Sequence, residues 1–256
     1  MRTATPITLV SVLALAVTAC SGAPQRPRYK AAVIERALAG APGEAQPSTV
    51  VATEVALSQA EKEDGTLKAH LEFVAPGAIW HISSGTIDIA ANLPRYREIE
   101  GTADWSTRTV VMSCDGALAI AMGRFRNRQG LYGDYLTTWE RQRDNTYKFT
   151  YTTEWIDDPQ PAPRERSPDG DIVVTAIDAI QGLVASCPRA DAPVPPPPAI
   201  SLASDNPGAA QLSRDGTLRW RWEHRPDETK YVVVDYWYEG EWVRAIEEGL
   251  ASPDDR

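Results

Sequence analysis

The sequence lacks the short motifs that identify a reaction class. It contains no Gly-x-Ser-x-Gly nucleophile elbow, no phosphate-binding loop, no His-Glu-x-x-His pattern and no Ser-x-x-Lys pair. Histidine is scarce, with three in the chain, and no closely spaced His/Cys cluster or Asp-rich loop indicates a metal site. We therefore predict no cofactor, and any catalysis has to rest on isolated side chains.

Positive charge is also in short supply. The chain carries 26 Lys and Arg against 35 Asp and Glu, which gives a formal net charge of −9. Phosphate backbones and anionic lipid surfaces repel an acidic chain of this kind. We expect no nucleic-acid partner.

The apolar run near the amino terminus is too short to span a bilayer. It covers residues 7–17 and follows a segment with a single cation, an arrangement typical of a secretory signal peptide. Its ending, residues 17–20, resembles the lipobox of bacterial lipoproteins. We predict a signal peptide over residues 1–19 and acylation of Cys20, so that the protein is anchored in the cell envelope and faces the periplasm. The alternative is an ordinary signal cleaved within residues 19–23, with Cys20 incidental.

Cysteine is as rare as histidine, with three in the chain. Once Cys20 is acylated, Cys114 and Cys187 remain as an even pair in an oxidising compartment. We predict a disulfide between them, and the alternative is two buried free thiols.

Composition divides the rest of the chain into four segments. Residues 20–47 are rich in Ala, Pro and Gly and predict a flexible tether. Residues 48–187 hold the helices and strands of the main predicted domain. Residues 188–199 predict a stiff proline-rich linker, for which a proline-motif ligand is the alternative. Residues 200–256 predict an aromatic-rich β extension.

Apolar residues at helical spacing predict two helices at the start of the domain. The first covers residues 48–64, with Leu57 and Val55 on its apolar side. The second begins at Thr66 and is expected to stop at residues 76–77, a Pro-Gly pair.

Alternating apolar residues and turn residues then predict an antiparallel meander. The predicted strands are residues 78–82, 86–89, 107–113, 117–126, 132–142 and 146–155. Turns at residues 115–116 and 144–145 join two of these pairs as hairpins. Residues 172–177 favour either a strand or a helix. Two helices before a long meander predict an α+β fold with the helices on one face of a curved sheet.

The aromatic block predicts a further three-strand meander over residues 213–248. It opens with Asp215-Gly216, as a strand in the middle of the chain opens with Asp115-Gly116. This similarity indicates either a weak internal repeat or two hairpins of the same kind.

Four stretches within residues 49–155 follow the pattern of one superfamily. They are EKEDG (61–65), AHLEFVAPGAIW (69–80), CDGALAIAMGRFR (114–126) and YGDYLTTWERQRDNTYKF (132–149). They resemble the nuclear-transport-factor-2-like (NTF2-like) superfamily, and within it the domains grouped as DUF4440 or SnoaL-like. The resemblance implies helices wrapped over a strongly bent sheet, which form a cone whose mouth holds a small molecule. Members include isomerases, dehydratases, cyclases and non-catalytic binding or dimerising domains, so a homodimer is one expectation.

At the positions where the resemblance expects the catalytic residues of a ketosteroid-isomerase-like site, this chain has unsuitable side chains. The carboxylate base falls near Ile82, which has no proton-accepting group, and the oxyanion-binding tyrosine falls near Ser58, a weakly acidic donor. A shift of the alignment by one residue brings His81 to the position of the base.

A small set of side chains remains as site candidates. His81 and Asp104 are the candidate general bases. The side chains expected to line the interior of the cone are Trp80, Trp105, Asp134, Trp139 and Trp155. Trp220, Trp222 and Trp237 form either an exposed aromatic face or part of a core.

Three functional hypotheses follow from these observations. The leading one is a non-catalytic envelope protein that binds a small apolar or aromatic ligand, or a protein partner, through the cone. The second is a SnoaL-like isomerase or lyase with His81 or Asp104 as the base. The third is contact with carbohydrate or peptidoglycan through the C-terminal aromatic face.

Overall fold

The computed structural model describes residues 45–92, 104–162, 180–189, 192–199 and 206–251, all within one compact unit. The predicted signal peptide, Cys20, most of the tether and residues 172–177 lie outside the described residues. No helix within these ranges is long and apolar enough to cross a membrane.

The described residues form three helices and eleven strands, numbered in chain order. The helices are α1 Pro47–Asp64, α2 Thr66–Phe73 and the single turn α3 Ile89–Asn92. The strands are β1 Val74–Ile82, β2 Gly85–Asp88, β3 Asp104–Met112, β4 Leu118–Arg126, β5 Tyr132–Arg141, β6 Tyr147–Ile156, β7 Gln181–Val184, β8 Gly208–Leu212, β9 Leu218–His224, β10 Thr229–Tyr238 and β11 Glu241–Ala251.

The long helix α1 begins and ends close to its predicted limits. Proline is tolerated in its first turn, and Gly65 ends it with a φ of +85°, a conformation that favours glycine. Its buried face is Val50, Glu54 and Leu57, whereas Val55 is 50% exposed. The prediction that Val55 belongs to the buried side is wrong, because the helix turns a carboxylate into the interior instead.

The boundary between α2 and β1 lies earlier than predicted. The helix ends at Phe73, and the Pro76-Gly77 pair, expected to stop it, lies inside β1. The pairing of β1 with β6 shifts register between Val74 and Ile79, so the proline falls in an irregular stretch. A bulge of this kind tolerates a residue without a backbone N–H.

Strands β1 to β7 form a seven-stranded sheet in the order β2-β1-β6-β5-β4-β3-β7. The predicted hairpins β3–β4 and β5–β6 are antiparallel, as expected from their turns. The pairs β1–β6 and β3–β7 are parallel. Register shifts within β1–β6, β3–β4 and β5–β6 bend a sheet locally, which suits it to wrap around the helices.

The seven-stranded sheet buries both of its faces. One face packs against the helices through apolar residues that include Val50, Leu57, Val110, Ala121 and Trp139. The opposite face packs against the second sheet. A helix layer over a mixed sheet confirms the predicted α+β class, although the two parallel pairs depart from the predicted antiparallel meander. The second sheet adds a layer that the resemblance does not include.

The second sheet has four strands in the order β11-β10-β9-β8. The sequence predicts three of them, and it misses β8 because this strand (Gly-Ala-Ala-Gln-Leu) has a composition with little β propensity. Alternate residues of β9 and β10 point into the shared core, where Trp220, Trp222, Val232 and Val234 meet the first sheet. The two sheets therefore form a sandwich.

Two equivalent hairpin loops, the β3–β4 loop of the first sheet and the β8–β9 loop of the second, meet at one end of the sandwich. In each loop a serine hydroxyl donates to the aspartate two residues later, at 2.7 Å for Ser113–Asp115 and 2.6 Å for Ser213–Asp215. The loops also contact each other, since the Asp115 N–H donates to Asp215 Oδ2 at 2.8 Å. Their shared geometry fits both interpretations of the sequence, an internal repeat and two hairpins of the same kind.

The disulfide between Cys114 and Cys187, 73 residues apart, confirms the predicted pairing. It fixes the chain after β7 to the loop between β3 and β4.

Candidate functional site

A carboxylate lies in the interior between α1 and the first sheet. Glu54 Oε2 accepts hydrogen bonds from the hydroxyls of Tyr135, at 2.9 Å, and Thr107, and Oε1 accepts one from Trp139 Nε1 at 3.0 Å. The four residues come from α1, β3 and β5. A buried carboxylate with donors on both oxygens is well satisfied.

Burial governs the electrostatics of this interior. It raises the pKa of Glu54, and the hydrogen bonds from Thr107, Trp139 and Tyr135 work in the opposite direction. Burial, together with the charge of Glu54, also raises the pKa of Tyr135. The tyrosine is therefore a neutral donor, and the carboxylate has its lone pairs directed at protein groups.

A glycine on β4 makes room for the tyrosine. A Cβ at Gly123 would lie 2.6 Å from the Tyr135 hydroxyl and 2.3 Å from the backbone oxygen of Ser106. Any side chain at this position would displace the tyrosine from Glu54. The sequence thus shapes the interior with a small residue on one strand and a large one on the next.

Half-buried aromatic residues border the same interior. Trp80 on β1 and Trp105 on β3 both pack against the helix-side core without being enclosed by it. The ring of Trp105 lies 5.4 Å from that of Tyr135, edge to face. Its Nε1 is 3.5 Å from Glu61 Oε2, at the outer limit for a hydrogen bond. Glu61 Oε1 lies 2.8 Å from His70 Nε2, so the carboxylate is already engaged.

His81 does not face the helix-side interior, where a base in the cone would lie. It lies on the opposite face of the sheet. Adjacent residues of a strand point to opposite faces. Trp80 faces the helices, and His81 is enclosed between the two sheets. Its Nδ1 lies 2.9 Å from the Tyr151 hydroxyl and its Nε2 lies 3.1 Å from His224 Nδ1. Both ring nitrogens have protein partners, which corrects the expectation that His81 serves the interior of the cone.

The second candidate base, Asp104, lies at the surface. Its side chain is 80% exposed and forms an ion pair with Lys62 at 3.3 Å. A carboxylate in water lacks the burial that would adapt it to general-base chemistry at neutral pH.

The five predicted pocket residues divide between the two faces. Trp80, Trp105 and Trp139 lie on the helix side. Trp155 packs on the side of the second sheet. Asp134 lies on the face of β5 that points away from the helices, where its carboxylate forms an ion pair with Arg124 at 3.0 Å. The last two are corrected, because alternation along β5 and β6 directs them away from the helices.

The C-terminal tryptophans do not form an exposed stripe. Trp220 and Trp222 are buried between the sheets, and Trp237 is half-buried on the opposite face. The carbohydrate hypothesis needs all three in solvent on one face, so this arrangement does not support it. Among the described residues, no group of three or more His, Cys, Asp or Glu could hold a metal ion.

Sequence reasoning missed Glu54, Thr107 and Tyr135. A signal for Glu54 exists, because it lies four residues after Val50 and three before Leu57, on the apolar face of the helix. Nothing local identifies its partners, which are brought to it by the sheet.

Comparisons with known proteins find similar solved structures at low sequence identity. No protein-family model matches the chain, and no curated protein matches it. Among solved structures, an NTF2-like superfamily protein from Salmonella enterica shares 10% identity over 49% of this chain and 96% of its own, with a TM-score of 0.31. A proposed ketosteroid isomerase from Parabacteroides distasonis shares 16% over 45% and 91%, with a TM-score of 0.36. A protein of unknown function with a cystatin-like fold from Methylobium petroleophilum shares 14% over 52% and 96%, with a TM-score of 0.34.

Proposed function

We propose that the protein is a non-catalytic binding protein whose helix-side interior takes a small aromatic or apolar ligand. The observation that carries the proposal is the position of Trp80 and Trp105, which border this interior half-buried while the core beside them is enclosed. Aromatic rings in such a position offer a large apolar contact area.

The polar groups favour binding over catalysis. Both oxygens of Glu54 are hydrogen-bonded by protein donors, and the two candidate bases lie elsewhere, at the surface or between the sheets. The Trp105 N–H has a long contact of 3.5 Å to Glu61 Oε2, which is weak enough for it to donate to an acceptor on a ligand instead. The ligand class is therefore an aromatic or alicyclic molecule with a hydrogen-bond acceptor at one end.

Titration of the whole chain with 1-aminoanthracene, an uncharged aromatic fluorophore, tests the proposal. We expect saturable fluorescence enhancement, and Trp80→Ala and Trp105→Ala should each weaken binding by about tenfold, as truncation of an aromatic anchor does. Tyr238→Ala removes an exposed aromatic outside this interior and should leave binding unchanged. Equal binding by all four proteins would overturn the proposal.

The proposed address is the cell envelope, by acylation of Cys20. The Cys114–Cys187 disulfide supports it, because such bonds persist in oxidising compartments. Metabolic labelling with radioactive palmitate should mark the wild-type protein in the membrane fraction, and Cys20→Ser should abolish both the label and the membrane association. Label in Cys20→Ser, or none in the wild type, would contradict lipidation.

A further inference from the structure

The proline-rich segment lies on the outer face of the second sheet, the face that points away from the first sheet. Residues 192–199 read Ala-Pro-Val-Pro-Pro-Pro-Pro-Ala. Proline fixes its own φ and restricts the residue before it to extended conformations. The run therefore favours a polyproline II helix, which repeats every three residues and leaves its backbone carbonyls without internal partners.

The outer face of the sheet supplies donors to two of these carbonyls. Trp242 Nε1 donates to the Pro195 oxygen at 3.0 Å, and the Arg219 guanidinium donates to the Pro198 oxygen. The two prolines are three residues apart, which is one turn of a polyproline II helix. Two donors on β9 and β11 thus match the repeat of the segment.

The arginine is held in place for this contact. Arg219 Nη2 lies 2.5 Å from Asp235 Oδ2, and Asp235 Oδ1 also accepts from Arg244 Nε at 3.1 Å. Both Arg219 and Asp235 are buried, although they belong to the outer face. A fixed guanidinium loses little freedom when it binds a carbonyl.

The side chains of the segment show the same three-residue repeat. Val194 and Pro197 are half-buried, whereas Pro195, Pro196 and Pro198 are exposed. One ridge of the helix therefore faces the sheet. The ring of Trp242 packs edge to face with that of Trp237 at 6.0 Å, which gives the sheet an aromatic surface at the carbonyl of Pro195.

We propose that the outer face of the second sheet is a binding site for polyproline II segments, occupied here by the chain's own residues 192–199, and that a proline-rich segment of a partner protein takes the same place. The site contacts main-chain carbonyls and one apolar ridge. Any peptide with prolines at this spacing presents both, so recognition does not depend on the rest of this chain.

The internal ligand limits access to the site. It is tied at one side by the Cys114–Cys187 disulfide and by the Ser186 N–H, which donates to the Trp237 oxygen at 2.7 Å. A tethered ligand has a high effective concentration, so a partner segment has to displace it. The site is consequently weak toward free peptides until the internal segment is released.

The test uses the octapeptide of residues 192–199, acetylated and amidated, and two forms of the full chain. One is wild type, and in the other residues 192–199 are replaced by alternating Gly and Ser of equal length. We expect the peptide to shift the Trp242 indole N–H resonance of the replaced protein, and to bind wild type about tenfold or more weakly because of the internal competitor. An alanine version of the peptide should not bind.

Trp242→Phe in the replaced protein keeps an aromatic ring and removes the N–H donor to the Pro195 oxygen. We expect this variant to lose peptide binding, measured by the fluorescence anisotropy of a labelled peptide. Trp155→Phe, a matched change on the first sheet and away from the outer face of the second, should retain it. Thermal melts and a thiol assay establish that the replaced protein is folded with its disulfide intact. A folded replaced protein that does not bind the octapeptide overturns the proposal, as does equal binding by Trp242→Phe.

Discussion

His81 Nε2 lies 3.1 Å from Nδ1 of His224, and this contact joins the two sheets across their shared core. The Tyr151 hydroxyl occupies the other ring nitrogen of His81. The histidine that sequence reasoning selected as a catalytic base therefore ties one sheet to the other.

This contact predicts a loss of stability in acid. Burial, with the charges of His224 and Lys230, lowers the pKa of His81 from 6.5 to about 3. In the unfolded chain His81 becomes protonated below about pH 6.5, whereas in the folded chain it stays neutral down to about pH 3. The stabilisation is thus complete above pH 6.5, and it declines as the pH falls toward 3, by at most about 1.4 kcal/mol per pH unit. Urea unfolding at several pH values should show this slope, with a smaller slope in His81→Gln. Equal slopes in the two proteins would contradict the assignment.

Glu54 predicts the opposite dependence on pH. Its pKa is raised in the folded state, so the folded chain retains a proton above pH 4.5 that the unfolded chain releases. Its protonated form stabilises the fold below pH 4.5, and this contribution declines as the pH rises through the folded pKa. Glu54→Gln replaces one acceptor oxygen with an NH₂ group that faces protein donors. The variant should therefore have a free energy of unfolding lower by about 1–3 kcal/mol. Its deficit should be fully developed at and below pH 4.5 and should shrink as the pH rises through the folded pKa. Glu63→Gln, on the exposed side of the same helix, should have the stability of wild type. A Glu54→Gln protein as stable as wild type would refute the stabilising role of Glu54.

The disulfide predicts a large effect on stability. A cross-link between residues 73 apart lowers the entropy of the unfolded chain, which raises the free energy of unfolding by about 4 kcal/mol in the chain-entropy model. Cys114→Ala with Cys187→Ala should lower the free energy of unfolding by about that amount in chemical denaturation. A change below about 1 kcal/mol would show that the bond does not constrain the unfolded chain.

The contact between the two equivalent loops can be tested at Thr217. Its hydroxyl accepts the Cys114 N–H at 3.0 Å and donates to Asp215 Oδ1 at 2.9 Å, in a buried position. Thr217→Val leaves both groups without this partner and should cost about 1–3 kcal/mol in thermal or urea unfolding. Thr217→Ser keeps the hydroxyl and should cost markedly less. Equal losses in the two variants would indicate packing rather than hydrogen bonding.

Local patterns predict the elements well because they depend on local chemistry. The helix over residues 47–64 follows from apolar spacing, and the β3–β4 hairpin follows from Asp115-Gly116, with Gly116 at a φ of +66°. The cysteine pair follows from the number of cysteines left after acylation of Cys20 and from the predicted oxidising compartment.

The face of the sheet that holds a site does not follow from local patterns. Alternation in β1 separates Trp80 from His81, but only the packing of the helices and the second sheet decides which residue faces which layer. The Glu54 cluster escapes prediction for the same reason, since Thr107 and Tyr135 lie 53 and 81 residues from it in sequence.

Binding of a small aromatic ligand in the helix-side interior is tested most directly by the indole N–H resonances. The chain has eight tryptophans, distributed over both faces of the first sheet and over the second. Titration of the unacylated Cys20→Ser protein with 2-naphthol should shift the signals of Trp80 and Trp105 saturably. The signal of Trp220, whose N–H donates to Gln211 between the sheets, should not move. Unshifted Trp80 and Trp105 signals at saturating 2-naphthol, or shifts confined to the second sheet, would contradict the account.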